Sequence, residues 1–248
     1  MIKVLIIGNS FGADVSRYLN GISRAGRSEI RVVNLNIGGC SLYRHYRNML
    51  SEETVYRYEI NGIDTGLEVS LKKALLMDEW NYVVFQQCSP QSGSPEKYQP
   101  YLSALNEYVR RLCPPAEIVM HMTWSFAEGC GRFRLTPFET HDQLYEALVK
   151  TYREAAKEIK ADLLLPSGIA MHKLYLAIGD ETYRDGFHCG LGVTRYMLGC
   201  LFFMALTGKT IDGNRFDDFD VEVSEERRLL AQQIAKETLL EEGWTLKE

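Results

Sequence analysis

Asp185-Gly186-Phe187-His188, late in the chain, and Gly8-Asn9-Ser10, near its start, are the residues whose types and spacing fit a chemical task. Asp185 and His188 stand three apart, so one turn of backbone can aim both at a single point. A histidine beside a carboxylate is a general base near neutral pH, and the carboxylate fixes its tautomer. Ser10 follows the apolar run Val4-Leu5-Ile6-Ile7, which reads as a buried strand. Gly8 permits a tight strand-to-helix turn, and the helix start offers backbone N–H groups and a dipole to developing negative charge. Alone, Ser10 reads as a helix cap and Asp185 as a cap beside a surface histidine. Together they supply a nucleophile, a base for its proton and a carboxylate to orient the base, which is the equipment of a serine hydrolase.

Such chemistry also needs donors for a tetrahedral oxyanion. The Ser10 amide is one candidate. Gly39, in the Gly38-Gly39 loop after the second apolar run, is another, because a missing side chain allows close backbone approach. The adjacent Gln86 and Gln87 end a third apolar run, and a buried amide there requires partners.

The elements that must position these residues follow from alternating short apolar runs and longer helical patterns, the signature of βαβ units and a parallel sheet. Strands are expected at 2–7, 30–35, 82–85, 118–122 and 163–165. Helices are expected at 14–25, 67–77, 98–112, 144–159, 171–178, 193–206 and 224–241. Residues 55–63 alternate and carry Asn61-Gly62, which suggests a small hairpin inserted between strands. The expected architecture is a three-layer α/β/α sandwich around a central, mostly parallel five-stranded sheet of flavodoxin-like type, in one domain over 1–248. Ligands of such sheets bind beyond the carboxyl ends of the strands. Ser10, Gly38-Gly39, Gln86-Gln87 and Trp124 each follow a strand directly and should share that edge. The irregular stretch 123–136 is long for a compact domain and is expected to serve as a lid.

Composition narrows the function classes. The 248 residues are 46% hydrophobic with a formal net charge of −5, enough for one sizeable core. No basic block rises above a solvated helix face, which argues against nucleic-acid binding. No run approaches the roughly 20 apolar residues of a membrane span. The sequence as it stands shows no secretory pattern and reads as cytoplasmic, or as secreted or periplasmic if a leader has been removed. The six cysteines form no C-x-x-C pair and no zinc-ligand spacing with histidine, so they read as free thiols and no metal or cofactor is expected. G-x-G-x-x-G, the P-loop pattern and G-x-S-x-G are all absent.

The four blocks, in order over almost the whole chain, resemble the SGNH or GDSL-type esterase and lipase superfamily. Gly8-Asn9-Ser10-Phe11 is similar to its first block, with Asn in place of Asp. Ile37-Gly38-Gly39-Cys40-Ser41-Leu42 is similar to the second. Asp185-Gly186-Phe187-His188, with Gly192 and Tyr196, is similar to the last. Gln86-Gln87-Cys88-Ser89 departs from the family's Gly-x-Asn-Asp, and a glutamine there resembles the sialate and carbohydrate acetylesterase branches. The combination of Gly8-Asn9-Ser10-Phe11, Gly38-Gly39-Cys40-Ser41-Leu42 and Trp80 to Gln87 is also similar to an SGNH subfamily of bacterial proteins. The resemblance implies a metal-independent serine esterase with Ser10, His188 and Asp185 as triad. Ser10, Gly39 and Gln86 or Gln87 are implied to serve the oxyanion, with Asn9 beside them.

The implied substrate is a small acyl ester, acetyl-type, on a carbohydrate or other small molecule. A lipase or thioesterase would require a long apolar cleft, and the departures at Asn9 and 86–89 leave open a carbohydrate-binding protein on a hydrolase scaffold. The binding-protein reading is separated from the enzyme readings by whether Ser10 Oγ reaches the His188 ring. Among the other residues, His45 reads as part of a solvated helix face and His121 as a core histidine. Trp124 and Phe126 read as a sugar-stacking or acyl-pocket wall, or as core. Cys189 lacks a second base and reads as packing. The oligomeric state leaves no trace in the sequence.

Overall fold

The computed structural model describes residues 1–247. Its centre is β1 (Ile2–Gly8), flanked by β2 (Ile30–Asn36) and β5 (Tyr82–Phe85), with β6 (Glu117–His121) and β7 (Leu163–Leu165) beyond. These five run parallel. The interior strands are apolar on both faces, as a parallel sheet covered on both sides requires. Val4 and Ile6 face a core shared with α1 (Ser10–Ala25), α6 (Ser167–Ile178), α7 (Val193–Thr207) and α8 (Glu225–Glu241). Leu5 and Ile7 face the opposite core, built with α2 (Leu42–Ser51), α3 (Leu71–Leu76), α4 (Tyr101–Leu112) and α5 (His141–Glu158). The expected three-layer α/β/α architecture is therefore present.

The sheet has seven strands rather than the expected five, in the order β4-β3-β2-β1-β5-β6-β7. The additional pair is the hairpin β3 (Tyr56–Ile60) and β4 (Ile63–Val69), which does not stand apart from the sheet but extends it antiparallel from β2. Asn61 and Gly62, at φ 51° and 74°, make the left-handed turn that a two-residue hairpin connection demands. The expected helix at 67–77 begins only at Leu71 because 67–69 belong to β4, capped by Ser70. An outer strand exposed along nearly its whole length leaves little hydrophobic alternation to read. Glu59 fixes the junction with β2, its carboxylate accepting from Asn34 Nδ2 at 2.7 Å and Asn36 Nδ2 at 2.6 Å.

The loop after β6 divides in two. Residues 122–127 are buried and cannot act as a lid, whereas the single turn Gly131–Leu135 lies at the surface. The α5 N-terminus secures the buried half: Ser125 Oγ donates to the His141 carbonyl at 2.8 Å, and His141 Nδ1 lies 2.7 Å from the Phe126 oxygen. No helix among the described residues is long and apolar enough to cross a membrane.

His45 corrects the expectation of a solvated helix face. It is fully buried, with Nδ1 3.0 Å from Tyr56 Oη and its ring stacked on that phenol. His121 is buried as expected, with Nδ1 2.8 Å from Gln86 Oε1. Burial pushes each ring down to about 3. An unfolded histidine titrates near 6.5, so on acidification the unfolded chain takes up these protons first. Their contribution is complete above about pH 6.5 and is lost as pH falls toward 3. The unfolding free energy from urea titrations should therefore fall from pH 7 to 5, by about 1 kcal/mol per pH unit for each ring. His45→Gln should lower stability at pH 7 and flatten that dependence; an unchanged slope would contradict the assignment.

Candidate active site

Chain order reverses at β1, with β2 added on one side and β5 on the other, so a crevice opens at its carboxyl end. A Cβ on Gly8 would stand 2.7 Å from Asn34 Oδ1, so glycine lets the strand end there. Asn9 then takes extended backbone and caps α1, its Oδ1 accepting from the Phe11 amide at 3.0 Å. The same oxygen accepts from Gln86 Nε2 at 2.7 Å, while Asn9 Nδ2 donates to the Cys40 carbonyl at 3.2 Å. One capping side chain thus ties the ends of β1, β2 and β5 together. Ser10 follows as the first residue of α1.

Across the crevice, Asp185 to His188 form a tight turn. Gly186 takes φ +81°, a conformation that favours glycine. Asp185 Oδ1 accepts from the amides of Phe187 at 3.2 Å and His188 at 2.8 Å, so the turn is organised around its carboxylate. Asp185 Oδ2 lies 2.6 Å from His188 Nδ1, and His188 Nε2 lies 2.9 Å from Ser10 Oγ. A proton on Nδ1 facing the carboxylate leaves the Nε2 lone pair for the serine hydroxyl. Partial burial acts to raise Asp185, but hydrogen bonds from the His188 ring and the two amides outweigh it and hold the carboxyl below its usual range. Three residues 178 positions apart at the extremes are aligned for proton transfer from the serine.

A buried ion cluster holds the two halves together. Asp14, one turn into α1 and 1% exposed at its side chain, accepts from Arg184 Nη1 at 2.8 Å. It also accepts from Arg195 Nε at 3.0 Å and Nη2 at 2.8 Å. Arg184 immediately precedes the Asp185 turn and also donates to the Cys189 carbonyl at 2.7 Å. Phe187 is braced from behind, where Trp124 Nε1 donates to its carbonyl at 2.8 Å and stacks on Phe11 at 4.0 Å.

Several expected site residues lie elsewhere. Gln86 and Gln87 are fully buried and neither faces the crevice. Gln86 is committed to Asn9 and His121. Gln87 accepts from the Leu42 and Cys88 amides and donates to the Lys97 carbonyl. A carboxamide already satisfied in the core has no reason to reach a substrate, so neither supplies an oxyanion donor here. Trp124 is likewise core, completely buried behind Phe11 rather than a wall of the cleft. Cys189 is buried and its thiol is pushed well above its ordinary range by that burial.

The crevice itself encloses about 580 Å³ and is lined by Ser10, Gly39, Ser89, Arg132, Phe187 and His188 among others. The amides of Ser10 and Gly39 have no acceptor among the described residues, so both can donate to a ligand. Ser89, Arg132, Asp14, Arg184 and Arg195 are contributors that sequence reasoning missed. Only Asp14 left a signal there, as an acid on the same helical face as Phe11, Val15 and Tyr18. His141, Asp142 and His172 also meet, with His141 Nε2 2.9 Å from His172 Nδ1, but none of the three lines the crevice.

Comparison with known proteins places both fold and family. The fold is that of the SGNH/GDSL-type superfamily. A proposed SGNH hydrolase from Slackia heliotrinireducens superposes with a TM-score of 0.58 at 21% identity, over 83% of this chain and 98% of that one. An acetyl-xylooligosaccharide esterase from Geobacillus gives 0.52 at 15%, over 89% and 97%. More narrowly, residues 3–238 match the family described as a domain of unknown function, DUF4886, and the chain belongs to it. A DUF4886 family protein from Bacteroides uniformis is similar throughout, with a TM-score of 0.89 and 30% identity over 100% of this chain and 97% of that one. No curated protein matches the sequence.

Removing the Asp14 carboxylate would leave two arginines facing an uncharged interior. Asp14→Asn should cost roughly 3 kcal/mol, the low end for breaking a buried pair because both arginines retain some exposure. Urea denaturation of this variant beside Ser10→Ala, expected to stay within about 1 kcal/mol of the wild type, measures the difference. Equal stability of Asp14→Asn and wild type would contradict the assigned role.

Proposed function

We propose that the protein is a serine esterase that hydrolyses small acyl esters through Ser10, His188 and Asp185. The observation that carries this reading is the continuous contact Ser10 Oγ to His188 Nε2 at 2.9 Å and His188 Nδ1 to Asp185 Oδ2 at 2.6 Å. His188 Nε2 takes the Ser10 proton as Oγ attacks the ester carbonyl carbon. The resulting oxyanion is held by the Ser10 and Gly39 amides, helped by the positive end of α1. As the tetrahedral intermediate collapses, the imidazolium returns the proton to the departing alcohol. Water, deprotonated by His188, then attacks the acyl-serine and releases the acid. Asp185 keeps the imidazole in the reactive tautomer and balances its charge.

The dimensions of the crevice support short acyl groups. Its roughly 580 Å³ is shared between polar residues and the apolar Phe11, Pro90, Leu135 and Phe187. A long acyl chain would need a continuous apolar channel, and this lining is too mixed to provide one. The esterase of the same fold that acts on acetyl-xylooligosaccharides makes acetylated carbohydrates the first natural esters to try.

Turnover of p-nitrophenyl acetate, butyrate and octanoate tests the reading. Acetate and butyrate should be hydrolysed in preference to octanoate. Ser10→Ala should abolish hydrolysis, a loss of at least about 10³-fold, and Asp185→Asn should lose on the order of 10³- to 10⁴-fold. Activity that survives Ser10→Ala would overturn the proposal.

A further inference from the structure

Resting on that reading of the site, we infer that Arg132 forms an anion-binding subsite, so that the preferred esters carry a carboxylate beside the scissile bond. Arg132 is held on the surface turn Gly131–Leu135 and lines the same crevice as Ser10 and His188. Its guanidinium carbon lies over the Phe187 ring, 3.5 Å from the ring centre, and that ring is itself 3.8 Å, centre to centre, from the His188 imidazole. The cation is thus fixed in place before any ligand arrives, because stacking on an aromatic face restrains a side chain that otherwise loses much rotamer freedom on binding.

No carboxylate among the described residues pairs with it. Arg132 makes no salt bridge and no hydrogen bond among the described residues, whereas Arg17, Arg31, Arg153, Arg184, Arg195, Arg227 and Arg228 all do. No acidic side chain lines the crevice. Asp185, next to the stacking Phe187, is occupied by His188. A guanidinium with one face on an aromatic ring retains its N–H fork at the edge, the geometry that pairs with a carboxylate through two parallel hydrogen bonds. The neighbouring Ser89 and Gln91 offer further polar contacts but no charge. A neutral acyl or alkyl group would leave this fork to water, whereas an anionic group would find a preformed partner a short distance from the nucleophile.

Two isosteric ester pairs separate the acyl from the alcohol side. Mono-p-nitrophenyl glutarate against p-nitrophenyl 4-carbamoylbutanoate places the charge on the acyl group, and 4-carboxyphenyl acetate against 4-carbamoylphenyl acetate places it on the alcohol. The wild type should favour the anionic member of at least one pair in kcat/KM. That ratio should fall about tenfold in Arg132→Gln, the worth of one charged hydrogen-bonded contact, and be partly kept in Arg132→Lys. Because the ratio compares two esters on one enzyme, a general loss of folding or catalysis leaves it unmoved.

A second readout does not depend on turnover. Thermal shift with glutarate and 4-hydroxybenzoate, set against glutaramide and 4-hydroxybenzamide, should show stabilisation by at least one anion that disappears in Arg132→Gln. Ser10-dependent hydrolysis with no anionic preference, or a preference unaffected by Arg132→Gln, overturns the subsite and leaves the esterase standing. With no hydrolysis of any ester, the esterase reading falls, and the Arg132 dependence of anion stabilisation alone decides the subsite.

Discussion

Asp14 places a carboxylate inside the layer between α1 and α7, where it meets Arg184 and Arg195 from the other end of the chain. An unpaired charge in that position would be very costly, so the fold can close only when the two arginines arrive. Closing it has a geometric consequence. Ser10 sits one helical turn before Asp14, and Asp185 directly follows Arg184, so satisfying the buried charge brings Ser10 and His188 to hydrogen-bonding distance. Arg195 extends the cluster to Asp220, which Arg17 of α1 also binds. Electrostatic necessity in the core thereby sets the registry of the residues that meet at the crevice.

Beneath the crevice a second, uncharged network has the same logic. Asn9, Gln86 and His121 form a chain of buried hydrogen bonds across β1, β5 and β6. Each hydrogen bond in it limits the orientation of the next side chain, and His121 Nε2 at its far end is buried without a partner among the described residues. Asn9 is the outermost link: it caps the helix that presents Ser10 and reaches the loop that presents Gly39. The polar residues at the strand ends therefore act from below, shaping the positions of backbone amides rather than projecting into the cleft.

This arrangement also explains the division of the loop after β6. Its first half supplies Trp124 and Phe126 to the two cores, with Trp124 bracing the carbonyl of Phe187. Its second half carries Arg132 onto the exposed face of the same Phe187. One aromatic ring of the Asp185–His188 turn is fixed from behind by the core and covered from the front by a cation.

The sequence by itself determined the alternation of apolar strands and amphipathic helices, and hence the layered parallel sheet. It also determined the Ser10 and Asp185–His188 pair, because those signals are local in type, spacing and periodicity. The edge hairpin was legible in the alternation of 55–63 and in Asn61-Gly62 but not in its outer strand, since β4 buries almost nothing and carries no periodic pattern. His45, Gln86, Gln87 and Trp124 could not be placed, because a polar or aromatic residue at an element's end fits a cleft wall and a core network equally well. Tertiary structure decided between those, by bringing Tyr56 to His45, Asn9 and His121 to Gln86, and Phe11 to Trp124. It alone joined Asp14 to Arg184 and Arg195 and set Arg132 over Phe187, since burial and charge compensation depend on contacts between segments that the linear chain keeps far apart.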